Sequence, residues 1–204
     1  AAIYIGLAIE LFVVYPIVLA TNGLNPVRFF AGAWPAIQLA FVSRSSIGTL
    51  PVTEQVTERN LGVPREYAAF AVTLGESTNM VGCAAIYPAI SEIFVAQFYG
   101  IPLGVQEYVL IAFVSVLGSA ATAGLTGATV MLTLTLSTLG LPLQGVGLLL
   151  AVDPILDMGR TAVNVAGQAL IPTVVAKRQG ILDQDAYDRV EGIDALDPTA
   201  VPAE

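Results

Sequence analysis

The sequence predicts an all-α polytopic membrane protein, and three observations support that fold class. Of its 204 residues, 55% are hydrophobic and only 12% are charged, whereas soluble domains carry about 25% charged residues. Long apolar runs recur along the chain, and the mean hydropathy is +0.76. Polar, glycine-containing segments interrupt several of these runs near the middle, and such irregular backbone is tolerated at membrane depth only against protein or a wet cavity.

The apolar runs divide residues 1–180 into five predicted segments. In chain order these are a spanning helix at 3–20, a re-entrant hairpin at 27–58, a broken spanning helix at 67–98, a second re-entrant hairpin at 105–139 and a polar final spanning helix at 146–176. Each hairpin arm is too short to cross a bilayer, which takes about 20 residues. Paired, interrupted apolar segments of this kind are typical of the binding regions of secondary transporters.

The formal net charge of −8 has its main source in the last segment, residues 181–204, which we interpret as a solvated acidic tail. Basic residues flank the apolar segments on one predicted side of the membrane: Arg28, Arg59, Arg65, Lys177 and Arg178. That side, together with the C-terminus, is therefore predicted to be cytoplasmic. The sequence opens inside an apolar run without a basic leader, so we expect it to be the C-terminal fragment of a longer protein.

Several function classes are excluded or disfavoured by composition. The chain has no histidine and a single cysteine, Cys83, so zinc sites and Ser-His or Cys-His catalytic pairs are not available. No cofactor motif or pair of nucleophile and base is present, and we therefore expect neither an enzyme nor an organic cofactor. Nucleic acid is not an expected partner.

A polar stripe runs along the predicted final helix. Its members, spaced for one helical face, are Asp153, Asp157, Arg160, Thr161, Asn164 and Gln168. An ionised side chain at the centre of a membrane costs about 2.5–3.5 kcal/mol on insertion scales, so such residues usually serve a function. Arg160 can donate two parallel hydrogen bonds to a carboxylate, and Asp157 suits an ammonium group. Together they predict an amino acid with an acidic side chain; the alternative is an internal ion pair between Asp157 and Arg160.

Four motifs resemble those of the dicarboxylate/amino acid:cation symporter family, which includes the sodium:dicarboxylate symporters and the glutamate transporters. They are SRSSIGTLPVT at 43–53, NMVG at 79–82, SAATAGLTG at 119–127 and DPILDMGRTAVNV at 153–165. The resemblance covers about residues 1–180. It implies an elevator-type transport domain, a homotrimer, and two hairpins that meet near the solute, the second acting as a gate.

The resemblance also implies roles for individual residues. Arg160 would hold the side-chain carboxylate of the solute, Asp157 its amino group, and Asn164 the main-chain carboxylate. The remaining substrate contacts would come from Ser45, Ser46, Cys83, Leu125 and Thr161. The cation-binding set would be Gly75, Ser77, Asn79, Ser119, Ala120, Thr122, Asn164 and Gln168.

The sequence departs from the family pattern at four positions in or beside this implied site. Val81 and Gln168 replace aspartates, and Cys83 replaces a threonine. Sodium prefers hard oxygen ligands, so the loss of two carboxylates is expected to lower its affinity. Glu76 stands where a small residue is usual, and it is a candidate proton carrier because burial disfavours an ionised carboxylate. Its alternatives are a compensating cation ligand and a side chain that faces water.

The predicted function is secondary-active symport of aspartate, glutamate or a related dicarboxylate, coupled to Na⁺, H⁺ or both. The expected partners are a small acidic solute and membrane lipid, and the expected location is the cell membrane. A channel or a non-transporting membrane scaffold is the alternative, because two cation-binding carboxylates are missing.

Overall fold

The structure is a computed structural model that describes residues 1–121 and 127–189, and its ordered elements in those ranges are all helical. The helices are α1 (Ala2–Thr21), α2 (Pro26–Ser43), α3 (Ser46–Arg59), α4 (Arg65–Thr78), a π-helical turn (Val81–Ile86) that runs into α5 (Tyr87–Phe98), α6 (Val105–Ala121), α7 (Gly127–Thr138), α8 (Gln144–Leu150), α9 (Asp153–Gln179) and α10 (Gln184–Asp188). The all-α part of the predicted fold class is thereby confirmed. Elevator movement and the placement of the membrane stay predictions.

Within residues 1–121 and 127–189, two helical stretches are long and apolar enough to cross a membrane: α1 and the stretch Arg65–Phe98. Within α1, the segment Glu10–Val14 is wound as a π-helix. Pro16 lies two residues after this segment and has no N–H for the carbonyl one turn earlier, which explains why the regular hydrogen-bond ladder breaks there. Ile5, Phe12 and Ile17 are exposed on this helix.

Helix α9 is the centre of the fold, and it packs against α1, α2, α3, α4 and the π-helical turn. Small residues on α9 permit this close packing. A Cβ added at Gly159 would lie 2.7 Å from the ring of Tyr4 on α1. The Tyr4 hydroxyl donates a hydrogen bond to the carbonyl of Ile155 at 2.5 Å, which attaches α1 to the first turn of α9.

The helix pairs α2–α3 and α6–α7 correspond to the predicted hairpins at 27–58 and 105–139. Between α2 and α3, Arg44 adopts the left-handed conformation with φ 56°. Ser45 then caps α3, because its Oγ accepts a hydrogen bond from the N–H of Gly48 at 3.0 Å. The first pair packs against α9 and α4, whereas the second packs against the π-helical turn and α5.

The predicted single helix at 146–176 differs from the structure, which divides it into α8 and α9. Pro154 occupies the first turn of α9, where its fixed φ and missing N–H are tolerated but would break a continuous helix. The second helix then continues to Gln179 and ends at Gly180, whose φ is 69°. The polar stripe therefore begins at a helix N-terminus rather than inside a helix.

The beginning of the predicted solvated tail, residues 181–189, is mostly exposed or half-buried and contacts the rest of the protein at a few points. The Tyr187 hydroxyl donates to the carbonyl of Asn25 at 2.8 Å, and the N–H of Asp183 donates to the carbonyl of Gly62 at 2.8 Å. Burial raises the pKa of Tyr187, so its hydroxyl keeps the proton that it donates. Residues 190–204 lie outside the described part of the chain.

Candidate functional site

Arg160 forms ion pairs with two acids of the polar stripe. Its Nη2 lies 2.8 Å from Oδ1 of Asp153 and 3.0 Å from Oδ1 of Asp157. The guanidinium is buried, with 1% of the side chain exposed, whereas the two acids are 24% and 29% exposed. All three side chains share one face of α9 because their spacing of four and three residues matches the helical period. The three groups together carry a net charge of −1.

The guanidinium of Arg160 also lies over an aromatic ring. Its Cζ is 4.0 Å from the centre of the Tyr87 ring, at the start of α5. A cation over such a ring is attracted by about 0.5–2 kcal/mol, the larger figure applying to buried pairs. Nε and Nη1 of Arg160 have no hydrogen-bond partner within the described residues. The arginine is therefore held in place while two of its nitrogens remain available to an anionic group.

Asn164 joins α9 to the broken segment before α5. Its Oδ1 accepts a hydrogen bond from the backbone N–H of Gly82 at 2.7 Å. Its Nδ2 donates to Sγ of Cys83 at 3.1 Å and lies 3.6 Å from Sδ of Met80. Both ends of the amide therefore have partners in the break itself.

Gly82 lies directly against α9, and this approach leaves no room for a side chain. A Cβ at this position would be 2.8 Å from the carbonyl oxygen of Arg160 and 3.1 Å from Oδ1 of Asn164. The glycine thus brings the backbone of the break next to the two residues that carry the predicted solute contacts. Cys83 follows it and is buried.

Three of the predicted cation-binding residues meet on another part of α9. Gly75 on α4 faces Gln168, because a Cβ on the glycine would lie 3.6 Å from Cγ of that side chain. The amide of Asn79 packs against the neighbouring Gly167 together with the hydroxyl of Tyr15. Gln168 is fully buried, and its Oε1 and Nε2, like Nδ2 of Asn79, have no partner within the described residues.

Glu76 directly follows Gly75 on α4 and is buried, with 9% of the residue exposed. The Ser77 hydroxyl donates to its Oε2 at 3.4 Å, and its Oε1 has no partner in the described part of the chain. The burial disagrees with the alternative in which Glu76 faces water. Buried amide and carboxylate oxygens without partners fit a hard cation such as Na⁺, which prefers oxygen ligands.

The other predicted site residues that the structure describes lie at the turn between α2 and α3, on α9 and at the end of α6. Ser45 and Ser46 lie half-buried at the turn between α2 and α3, and among the described residues no hydrogen bond joins them to Arg160 or Asn164. Thr161 is buried on α9. Ser119 and Ala120 lie in the last turn of α6, and Thr122 and Leu125 lie outside the described residues.

Sequence reasoning missed two members of the site. The sequence places Asp153 on the polar stripe, and the resemblance assigns it no solute contact, although its spacing of seven residues from Arg160 puts it on the same helical face. Tyr87 carries no signal of its own in an apolar run that contains several aromatic residues. Only the packing of α5 against α9 shows that its ring lies under the guanidinium.

Comparisons with known proteins agree with the family resemblance. The model of the sodium:dicarboxylate symporter family matches residues 1–178. The L-cystine uptake protein TcyP of Bacillus licheniformis is 40% identical over 192 residues, which cover 92% of this chain and 41% of that protein. The proteins of the same name from Shouchella clausii and Bacillus thuringiensis are 39% identical over 192 residues and 38% identical over 190 residues, covering 93% and 92% of this chain.

The chain thus spans about 41% of the length of the curated relatives that it matches. The matched region contains all four motifs, the ion pairs of Arg160 and the Asn164 contact with the break. The chain belongs to the sodium:dicarboxylate symporter family.

Proposed function

We propose that this chain forms the solute- and cation-binding part of a secondary-active transporter that moves an amino acid, L-cystine first among the candidates, together with cations across the cell membrane. The observation that carries the proposal is the buried Arg160, paired with Asp153 and Asp157 and still possessing unpartnered nitrogens. A buried guanidinium and two part-exposed acids form neighbouring sites for a carboxylate and an ammonium group.

The charge of this group favours a zwitterionic solute. Arg160 is already balanced by two acids, so the three side chains have a net charge of −1. A dicarboxylate without an ammonium group would bring further negative charge to that site and meet repulsion from Asp153 and Asp157. One end of L-cystine carries a carboxylate and an ammonium group side by side, which matches the arrangement. The named relatives, which are L-cystine uptake proteins, support the same candidate.

An acidic amino acid is the second candidate solute. Aspartate and glutamate also present an ammonium group, and Nε and Nη1 of Arg160 offer hydrogen bonds to an additional carboxylate. This candidate differs from the first in placing a side-chain carboxylate at Arg160, close to the negative charge of Asp153.

We propose that the coupled cation binds beside Gly75, Asn79 and Gln168, where buried polar atoms have no partner within the described residues. Family membership supports sodium as this cation. Because Val81 and Gln168 are uncharged, we assign to the buried Glu76, which adjoins Gly75, the role of balancing the ion, either as a ligand or by carrying a proton itself. Ser77, Ser119, Ala120 and Thr122 are assigned to the cation sites by resemblance.

The architecture that we propose for the whole protein rests on membership of the same family. We propose an elevator-type transport domain in a homotrimer, with the C-terminus cytoplasmic. The pairs α2–α3 and α6–α7 would approach the solute from opposite sides, with Ser45, Ser46 and Leu125 at their tips.

Uptake by the full-length protein tests the proposal. The protein is reconstituted into liposomes, and uptake of labelled L-cystine is measured with an inward sodium gradient, an inward proton gradient or neither. We expect saturable uptake that needs a cation gradient, with competition by unlabelled L-cystine, weaker competition by aspartate and glutamate, and none by succinate. Strong competition by succinate would contradict the zwitterionic solute, and a solute-independent current would favour the channel alternative.

A further inference from the structure

Glu92 is a completely buried acid that lies outside the site described above. It belongs to α5, within the candidate membrane span Arg65–Phe98, and its exposed fraction is 0%. Neither of its carboxylate oxygens has a hydrogen bond of good geometry within the described residues. An ionised carboxylate there would lose its hydration without a compensating partner, so the neutral acid is the form that fits this position.

The carboxyl group lies at the interface between α5 and the second helix pair. It faces the hydroxyl of Thr135 on α7, a residue that is itself only 1% exposed. The same hydroxyl lies 3.3 Å from the carbonyl of Leu132. Leu132 and Leu136 of α7, which flank Thr135, are fully buried in the apolar core. The part of α7 that covers Glu92 is therefore apolar side chain on either side of the Thr135 hydroxyl.

No described cation balances this acid. The elements packed against α5 include the π-helical turn, α1, α6 and α7, α8 through Gly145 against Val95, and α9, whose Arg160 lies over the ring of Tyr87. Apart from α9, the titratable groups on these elements are Cys83 on the turn, Tyr4, Glu10 and Tyr15 on α1, and Glu107 and Tyr108 on α6, whereas α7 and α8 have none in their sequences. On α9, the guanidinium of Arg160 that reaches α5 is paired with Asp153 and Asp157. In the described part of the chain, none of these groups forms a hydrogen bond or an ion pair with Glu92: Tyr4 is bonded to Ile155, Cys83 to Asn164 and Glu107 to Gly104.

We propose that Glu92 is a proton-binding site whose occupation is linked to the packing of α7 against α5. While α7 covers it, a carboxylate oxygen holds a proton taken from water. Loss of that proton to water leaves an anion that needs hydration, so ionisation and opening of the α5–α7 interface favour each other. By thermodynamic linkage, a condition that opens the interface releases the proton, and a high proton concentration holds α7 in place.

Infrared spectroscopy of the full-length protein in lipid tests the protonation directly. At neutral pH we expect a carbonyl stretching band from a protonated carboxylic acid that is lost in Glu92→Gln. Glutamine has nearly the shape of the neutral acid, so this variant should keep the fold. Glu66→Gln, the same change at an exposed position of α4, is the matched control and should leave the band unchanged. Thr135→Val should shift the band without removing it, because the facing hydroxyl is lost.

Amide hydrogen exchange in α7 tests the linkage. When the pH is raised, the intrinsic chemical rate of amide exchange increases. We expect the exchange rate in α7 of the unmodified protein to increase by more than this intrinsic factor, whereas in Glu92→Gln it should increase by the intrinsic factor alone. A band that survives Glu92→Gln, or α7 exchange that responds to pH equally in both proteins, would overturn the proposal.

The role proposed for Glu92 and the proposed function both assume that the protein lies in a membrane, and they share no other assumption. Absence of solute uptake would contradict that function and leave the spectroscopic result to decide the role of Glu92.

Discussion

Oδ1 of Asn164 accepts a hydrogen bond from the backbone N–H of Gly82 at 2.7 Å, and this contact attaches the broken segment to the polar face of α9. The two residues are 82 positions apart in the sequence. Because both residues are buried, the amide oxygen of Asn164 and the backbone N–H of Gly82 would each lack a partner if the contact were lost. The solute and cation contacts predicted for α9 therefore depend on a hydrogen bond that belongs to the fold itself.

Replacement of Asn164 by alanine is expected to destabilise the protein. A buried N–H without a partner costs about 1–3 kcal/mol, so the free energy of unfolding should fall by roughly that amount. Thermal unfolding of the full-length protein in detergent measures the change, with Gln106→Ala, an exposed polar position on α6, as the control. Equal Tm values for the two variants would show that the Asn164 contact with the break contributes little.

Replacement of Gly82 by alanine should disrupt both stability and solute binding. The added Cβ would lie 2.8 Å from the carbonyl oxygen of Arg160, so the break must move away from α9. Gly147→Ala is a matched control, because a Cβ there meets nothing within 4 Å. We expect a lower Tm and weaker L-cystine binding for Gly82→Ala alone, measured by thermal unfolding and by a binding titration. Unchanged binding in Gly82→Ala would contradict the close packing.

Asp157→Asn should weaken binding of the amino acid solute. A hydrogen bond to a charged group contributes about 1.5–3 kcal/mol, which corresponds to roughly a tenfold or greater loss of affinity. Arg160 remains paired with Asp153 at 2.8 Å in this variant, so the arginine should keep its position. Binding titrations with L-cystine measure the loss, and Glu66→Gln serves as the control for removal of an acid elsewhere. An affinity within about twofold of the unmodified protein would contradict an ammonium site at Asp157.

Asp153→Asn should change selectivity more than stability. The change raises the net charge of the three side chains from −1 to 0 and leaves Arg160 with the single partner Asp157. A second carboxylate on the solute then meets less repulsion, so succinate and glutamate should compete better against labelled L-cystine. Competition curves for the two proteins give the result. Identical selectivity would show that Asp153 acts only to hold the arginine.

Gln168→Glu should raise the affinity for sodium. The variant places a carboxylate where a fully buried amide has no described partner, and ligand charge is a main determinant of affinity for hard cations. We expect the sodium concentration for half-maximal uptake to fall by roughly tenfold, the factor that corresponds to about 1.4 kcal/mol. Gln97→Glu, an exposed position on α5, should leave it unchanged. An unchanged or higher requirement for sodium in Gln168→Glu would place the cation elsewhere.

The site on α9 could be predicted in part because it lies on one helix. The period of the helix brings Asp157, Arg160 and Asn164 to one face whatever the remainder of the chain does. The predicted internal ion pair and the predicted solute site are both compatible with the observed contact of 3.0 Å between Asp157 and Arg160, which leaves other nitrogens of the guanidinium free. Which solute these groups bind stays a proposal.

Two acids of one apolar segment, Glu76 and Glu92, show what sequence patterns do not reveal. Glu76 and Glu92 lie in the same predicted span, and pattern alone drew attention to the first because it adjoins a recognisable break. Both are buried in the structure. Glu92 belongs to no motif, and only the position of α7 reveals that it faces Thr135 in an apolar interface.

The sequence by itself determined the helical membrane class, the order of the segments and the polar stripe of α9, because composition and helical period depend on residues close together in the chain. The tertiary structure decided which polar groups meet: Gly82 with Asn164, Tyr87 with Arg160, and α7 with Glu92. These contacts join segments that are far apart in sequence. Their distances follow from how α9 packs with its neighbours, which no local pattern specifies.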